Sequence, residues 1–273
     1  MAEPYIEIHP DDAQAIKVQD AELIQVDQVA GTFIGRALIT TNVRKGELFA
    51  PMHWTRHRAP ESLSNRPVDV PNDPYSGQPA LKSAQVSAQK FPAKWYAFIA
   101  SIYEPDLPQG YAAKARTQTG WQIECAGLDP LGDFSAFVSD LVGSDECEEV
   151  SYSNATNGDQ RLALTKDGVL QAVAFLSTTS VELSRNAVIG LIGTEVSGLD
   201  ALAGKTAADK PDEGATVCAC FGVGENRILS AIAGGADTIE AIGNCTMAGT
   251  NCGSCRPELS SLLGAERFKL AAE

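Results

Sequence analysis

Five of the seven cysteines in this 273-residue chain fall within residues 218–255, and four of them form two close pairs. Cys218-Ala219-Cys220 is followed, 32 positions later, by Cys252-Gly253-Ser254-Cys255. Two thiol pairs so far apart can serve one centre only if the chain between them folds back on itself. Four thiolates suit Zn²⁺ or an iron–sulfur cluster. Between the pairs, Asn226 to Ile232 is amphipathic, with Ile228, Leu229 and Ile232 on one face of a predicted helix. Gly234-Gly235 stops that helix, Thr238 to Ile242 predicts a second, and a third begins after Cys252 and runs through Leu259, Leu262 and Leu263. A zinc ribbon spaces both pairs Cys-x₂-Cys on β-turns. Here the first pair is Cys-x-Cys and the intervening chain is helical, which favours a cluster over zinc. The thiols fall in loops and at helix starts, where backbone N–H groups can point at sulfur and favour thiolate. Gly222, Gly224, Gly249 and Gly253 crowd the same places, where backbone must approach closely or turn tightly. Cys245 lies outside the pattern and is expected to pack, while Cys125 and Cys147 are expected to be ordinary small residues.

The rest of the composition narrows the setting. A hydrophobic fraction of 44% and a charged fraction of 21% are those of a globular protein. The sequence has no apolar run near the roughly 20 residues that span a bilayer. Met1-Ala2-Glu3-Pro4 lacks the basic and apolar regions of a signal peptide. The expectation is a soluble, cytoplasmic protein whose clustered thiols bind metal in preference to forming disulfides. A net charge of −14 disfavours nucleic acid and anionic membranes as partners. The charge is uneven: −2 over residues 1–91, −10 over 92–214 and −2 over 215–273. Separate units are implied, the middle one with an acidic face that is either a solvated surface or a docking patch for a basic redox partner.

Residues 1–91 read as short strands joined by turns. Ile6-Glu7-Ile8 alternates, and Pro10 with Asp11 and Asp12 opens a short helix through about Ile16. Strands follow at 23–29 and 33–40, then a short segment at 47–51 and an irregular stretch from His53 to Pro79. Short strands with turns at close intervals favour a β-barrel or a sandwich, and Val86-Ser87-Ala88 is the candidate for a barrel's closing strand. Within 92–210, Trp95 to Ala100 reads as a core element, Phe134 to Leu141 as a helix and Ser151 to Thr156 as a strand. Residues 161–165 and 169–176 form a hairpin around Lys166-Asp167-Gly168. Two helices are expected at 184–192 and 197–203, the second ended by Gly204, making a small α+β domain. Thr206 to Ala215 is a polar linker. The fold class expected is multidomain α+β: a barrel or sandwich at 1–91, a small α+β domain at 92–210 and an all-α metal module at 215–265.

The text from Val217 to Leu263, with Cys-x-Cys-x₃₁-Cys-x₂-Cys spacing and the run Gly249-Thr250-Asn251-Cys252-Gly253-Ser254-Cys255-Arg256-Pro257-Glu258-Leu259, resembles [2Fe–2S] domains of the bacterioferritin-associated ferredoxin type. The resemblance implies that Cys218, Cys220, Cys252 and Cys255 ligate one two-iron cluster. Residues 1–91 resemble the C-terminal molybdopterin dinucleotide-binding domain of bacterial molybdenum oxidoreductases, a six-stranded double-psi β-barrel. The wording that carries this is Ile6 to Ala13, Gly46 to Trp54, and Asn65 through Asp73-Pro74-Tyr75-Ser76-Gly77-Gln78-Pro79-Ala80-Leu81-Lys82. In that family an asparagine and a lysine 17 positions apart contact the cofactor, a separation that Asn65 and Lys82 share. Such residues are sensible chemically, since lysine supplies charge to a pyrophosphate and asparagine supplies both donor and acceptor. The family pattern further implies that Met52 and His53 lie near the substrate side of the cofactor, with Trp54 beside them. His9 and His57 are read as structural.

The two resemblances combine in the cytoplasmic assimilatory nitrate reductases, which carry a pterin-binding barrel, a less regular segment and a C-terminal [2Fe–2S] module. The implied cofactors are the cluster and a share of a molybdenum bis-molybdopterin guanine dinucleotide site. No catalytic residue is assigned to this chain. The sequence lacks a [4Fe–4S] cysteine run and has no cysteine in its first 91 residues to ligate molybdenum, so it reads as the last third of a longer enzyme. The implied partners are the N-terminal catalytic domains and an electron donor: ferredoxin, flavodoxin or an NADH-dependent reductase. The tail of another molybdoenzyme, such as a formate dehydrogenase, and a stand-alone [2Fe–2S] electron-transfer or iron-delivery module are the rival readings, because a barrel does not encode a substrate. A zinc-stabilised interaction domain is a further alternative.

Overall fold

The computed structural model describes residues 3–65, 72–79, 83–143, 146–204, 213–218, 223–250, 253 and 255–270, with side chains through residue 265. The chain forms two compact units, Met1–Lys205 and Thr206–Glu273. Residues 206–212 of the expected linker lie outside the described residues.

The larger unit starts with strand β1 (Tyr5–Ile8) and helix α1 (Pro10–Ala15). Pro10 and two aspartates occupy the first turn of α1, as the sequence predicts, and His9 caps it by accepting the Asp11 amide at 3.2 Å. Strands β2 (Leu23–Gln28), β3 (Gly31–Ile39), β4 (Leu48–Phe49) and β5 (Ser87–Lys90) complete a mixed sheet in the order β4-β1-β3-β2-β5. β1 runs parallel to β3, and the other pairs are antiparallel. Ile6, Ile8, Ile24, Val26, Phe33 and Ala37 bury one side of this half-barrel against Ala13 and Val18. Among the described residues it is an open sheet of five strands. β5 pairs with β2 at one edge and the two-residue β4 with β1 at the other, so β5 extends the sheet and does not close it.

A second sheet follows within the same unit: β6 (Trp95–Ser101), β7 (Tyr111–Arg116), β8 (Trp121–Gly127), β9 (Glu148–Asn154), β10 (Asp159–Lys166) and β11 (Val169–Ser177). Its order is β7-β8-β6-β11-β10-β9, antiparallel throughout. Asp167 (φ 52°) and Gly168 (φ 76°) make the two-residue β10–β11 connection with the paired positive φ of a type I′ turn. Both faces of the sheet are covered. Ala97 and Ile99 pack beneath helix α2 (Phe134–Val142), while Phe98 and Ala100 pack beneath α3 (Arg185–Ile189) and α4 (Gly198–Leu202). Leu23 and Ile34 of the first sheet share a core with Tyr96, Tyr111 and Ala126 of the second. Position 91 therefore separates two sheets of one compact unit.

The smaller unit has a two-stranded ladder, β12 (Thr216–Cys218) with β13 (Val223–Gly224), and helices α5 (Glu225–Ala233), α6 (Ile239–Thr246) and α7 (Arg256–Leu270). The three predicted helices are present, but the unit is not all-α. The ladder was not predicted because four residues separate strands of three and two residues, too short for an alternation to show. Thr238 caps α6 by accepting the Ala241 amide at 3.1 Å. Ile228, Ile242, Leu259 and Leu263 form the core together with Cys218 and Cys255.

Candidate functional site

β12 ends on Cys218, and Cys255 immediately precedes α7. Both are buried, at 2% and 6% exposure, in the same apolar cluster. Their thiols hydrogen-bond each other, so the ends of a 38-residue span meet sulfur to sulfur. Burial and the neighbouring Cys218 thiol raise the pKa of Cys255, against a downward pull from the backbone N–H groups of Gly249 and Cys255, which donate to its sulfur. N–H groups aimed at sulfur are what a cluster held by thiolates requires.

The backbone is shaped for this approach. Gly249 has φ +78°, and an added Cβ would lie 3.0 Å from Leu259 Cδ1. Gly224, before α5, runs so close to the chain ahead of β12 that a Cβ would sit 1.9 Å from the Glu213 carbonyl oxygen. Cys220 and Cys252 lie outside the described residues, two and three positions from the sulfurs that meet. Among the described residues no group of three or more His, Cys, Asp or Glu side chains gathers to hold a metal ion. The residues present fit a thiolate-held cluster: two adjoining buried sulfurs and N–H donors directed at one of them. Cys245, expected to pack, is exposed on α6. Cys125 is buried on β8, where its thiol is pushed well up by burial and by the charge of Glu124.

In the larger unit, Met52 (62% exposed) and His53 follow β4, and both are open to solvent, as is Asn65. Lys82 lies outside the described residues. The Asp73 wording forms an ordered turn. Asp73 Oδ1 accepts the Tyr75 amide at 3.0 Å, the Ser76 amide at 2.7 Å and the Ser76 hydroxyl at 3.0 Å. Those bonds, the Ser76 amide first, hold the carboxyl below its usual range. An antiparallel bridge between Asn72 and Pro79 closes the turn. The preceding loop is clamped at its centre: the Ser62 hydroxyl donates to the Ile34 carbonyl at 2.6 Å, and the Ile34 amide to that of Glu61 at 2.9 Å. A long irregular segment is thereby tied to β3.

One cluster has no signal in local sequence. Arg36 on β3 pairs with Glu3 at 2.7 Å and with Glu124 of β8 at 3.5 Å. Glu124 is also bound by Arg185 of α3, and the Tyr111 hydroxyl donates to Glu3 at 2.8 Å. Two carboxylates and two guanidiniums thus join both sheets and a helix. The one trace in the sequence is an acid inside the apolar run Trp121-Gln122-Ile123-Glu124-Cys125-Ala126.

With this geometry in place, likeness to known proteins becomes informative. Residues 1–85 match the family described as Molydopterin dinucleotide binding domain, and residues 216–265 match the BFD-like [2Fe-2S] binding domain. The chain joins a molybdopterin dinucleotide-binding domain to a BFD-like [2Fe–2S] domain. Its cofactors are accordingly a molybdopterin dinucleotide and a [2Fe–2S] cluster. A nitrate reductase of Klebsiella oxytoca is 29% identical over 278 aligned positions, covering 97% of this chain and 30% of that protein. An F420-dependent formate dehydrogenase subunit alpha of Methanocaldococcus jannaschii is 37% identical over 67 residues, 24% of this chain and 10% of its own length. The NADH nitrite reductase large subunit of Escherichia coli is 38% identical over 65 residues, 24% of this chain and 8% of its own length. The chain thus spans less than a third of each of these relatives, and it fits the C-terminal portion of a nitrate reductase.

Proposed function

We propose that this chain is the C-terminal portion of a molybdenum-dependent assimilatory nitrate reductase acting in the cytoplasm. Residues 1–91 would form a double-psi barrel that helps hold the bis-pterin cofactor, 92–210 a small α+β domain, and 215–265 the electron-accepting module. The observation that carries the reading is one alignment to a nitrate reductase covering 97% of the chain, and so running through both cofactor domains. Cys218, Cys220, Cys252 and Cys255 hold the cluster in this proposal. Met52, His53, Asn65 and Lys82 face the pterin dinucleotide, Lys82 supplying charge and Asn65 a donor and an acceptor.

When bound, molybdenum supplies the oxygen-atom and two-electron chemistry and the cluster carries electrons singly. Nitrate takes up two electrons and two protons, releasing nitrite and water. The donor is a ferredoxin, a flavodoxin or an NADH-dependent reductase, meeting the smaller unit. The protein's own task there is to keep the sulfurs dry and to donate N–H groups to them, as Gly249 does to Cys255. A second reading, the tail of a formate dehydrogenase, rests on the 37% identity over 67 residues.

Two measurements test the proposal. Anaerobic reconstitution should give about two irons and two sulfides per chain, and replacing Cys218 or Cys255 by serine should remove the reduced-cluster paramagnetic signal. Zinc in place of iron would sink the cluster assignment. Deleting the coding frame should abolish growth on nitrate as nitrogen source and spare growth on ammonium. A strain that keeps nitrate growth but loses formate oxidation would favour the second reading. The chain alone, loaded with pterin and given reduced viologen, should reduce no nitrate, because the rest of the cofactor-binding surface belongs to other domains.

A further inference from the structure

The net charge of −14 conceals a local reversal on the larger unit. Three cations surround the indole of Trp121, with ring-centroid distances of 5.5 Å for Arg116 Cζ, 5.6 Å for Lys114 Nζ and 5.9 Å for Arg58 Cζ. They converge from two elements. Arg58 sits on the single turn that follows Thr55, and the Lys114 amide of β7 donates to the Arg58 carbonyl at 2.8 Å, stitching loop to strand. The indole, 8% exposed, is the floor on which the cations rest.

The three cations differ in how they are satisfied. Lys114 is buried, donates to the Pro105 carbonyl at 2.9 Å and pairs with Glu104 at 3.0 Å. Glu104 also faces His57 at 3.5 Å and feels the charge of Arg116, so this one carboxylate is shared among three basic side chains and none of them has it alone. Arg58 and Arg116 are exposed, and among the described residues neither makes an ion pair with a carboxylate. Like charges held on one ring repel, and the cost falls when anions arrive from outside.

We propose that Arg58 and Arg116, mounted on Trp121, form a docking surface for an acidic face of a partner protein. An exposed ion pair shifts an equilibrium by less than about ten-fold, so a single small anion on this open surface would be held too weakly. Several carboxylates presented together add such contacts and are steered in by the local field. A planar guanidinium takes carboxylates side-on in pairs, as an ammonium cannot. The surface is built from Arg58, Arg116 and Trp121 of the larger unit, and does not depend on which substrate the enzyme reduces.

Poly-L-glutamate titrated into the full chain at low ionic strength, followed by tryptophan fluorescence, tests the surface. The expected result is saturable binding that weakens about ten-fold or more in the double variant Arg58→Gln/Arg116→Gln, whose near-ultraviolet circular dichroism should be unchanged. The same binding should fade as salt shortens the Debye length from about 30 Å to about 8 Å. Arg44→Gln/Lys45→Gln, which removes exposed cations paired with Glu47 and Asp11, should bind as the parent does. The proposal is overturned if the parent does not bind, if the Arg58/Arg116 variant binds equally, or if inorganic phosphate or duplex DNA at equal charge binds as tightly as the polypeptide.

Discussion

Glu124 decides more about the larger unit than any other single residue. It is 3% exposed, held between Arg185 and Arg36, and burial together with the Glu3 carboxylate pushes its pKa up to about 7 in spite of both arginines. The sign follows from proton linkage. A carboxyl whose pKa is higher folded than unfolded binds more protons in the folded state between the two values. Its contribution is therefore complete below the unfolded value near 4.5 and is lost as pH rises through about 7. Glu124→Gln has no such titration. The stability of the parent relative to this variant should fall by an amount on the order of 2 kcal/mol between pH 5 and pH 8. Urea denaturation of both proteins at the two pH values measures it, and a constant difference would mean that Glu124 is ionised throughout. No reading of the sequence could have assembled this group, because Arg36 and Glu124 are 88 positions apart and Arg185 lies 61 beyond Glu124. Cys218 and Cys255 were legible as candidates for the opposite reason: close thiol pairs stand out by spacing, and the fold brings these two sulfurs together.

At the scale of elements, the sequence speaks clearly where one face is wet and the other dry. α1 shows its proline and first-turn aspartates, α5 its apolar stripe, and the β10–β11 hairpin its Asp167-Gly168 turn. β7 and β8 stayed hidden. Both are buried almost throughout, with Lys114, Gln122 and Glu124 among their buried residues, so apolar and polar positions do not alternate along them. The covering helix α2 offers a direct test of how that burial is maintained. Asp133 caps it by accepting the Ala136 amide at 3.1 Å, and Phe134, Val138, Leu141 and Val142 lie on the sheet. Asp133→Ala should cost about 1 kcal/mol. Because the helix is pinned by its apolar face, the loss should appear as a shifted urea midpoint with an unchanged slope. A change in slope would instead mean that the helix had left the sheet.

For the whole molecule, two units with separate apolar cores should answer cluster loading differently. The four cysteines of the proposed cluster lie within the matched residues 216–265, inside the smaller unit. Among the described residues that unit has a single modest core, built on Ile228, Ile242, Leu259 and Leu263. In a domain so small, a metal centre supplies stability that apolar burial cannot. Among the described residues the larger unit has two sheets and four clusters of its own. Calorimetry of the cluster-loaded chain should therefore show two transitions, the smaller unit's shifted to lower temperature when chelator strips the iron and the larger unit's left in place. A ligand that binds only the folded state stabilises by mass action, so the shift should exceed that produced by any single surface substitution. Gly249→Ala, which strains the φ +78° position beside Cys255, should lower the loaded transition by an amount on the order of 1–2 kcal/mol and reduce iron content with it. If stripping the iron moved both transitions together, the stability of the larger unit would depend on the cluster, and the four cysteines would anchor the entire chain.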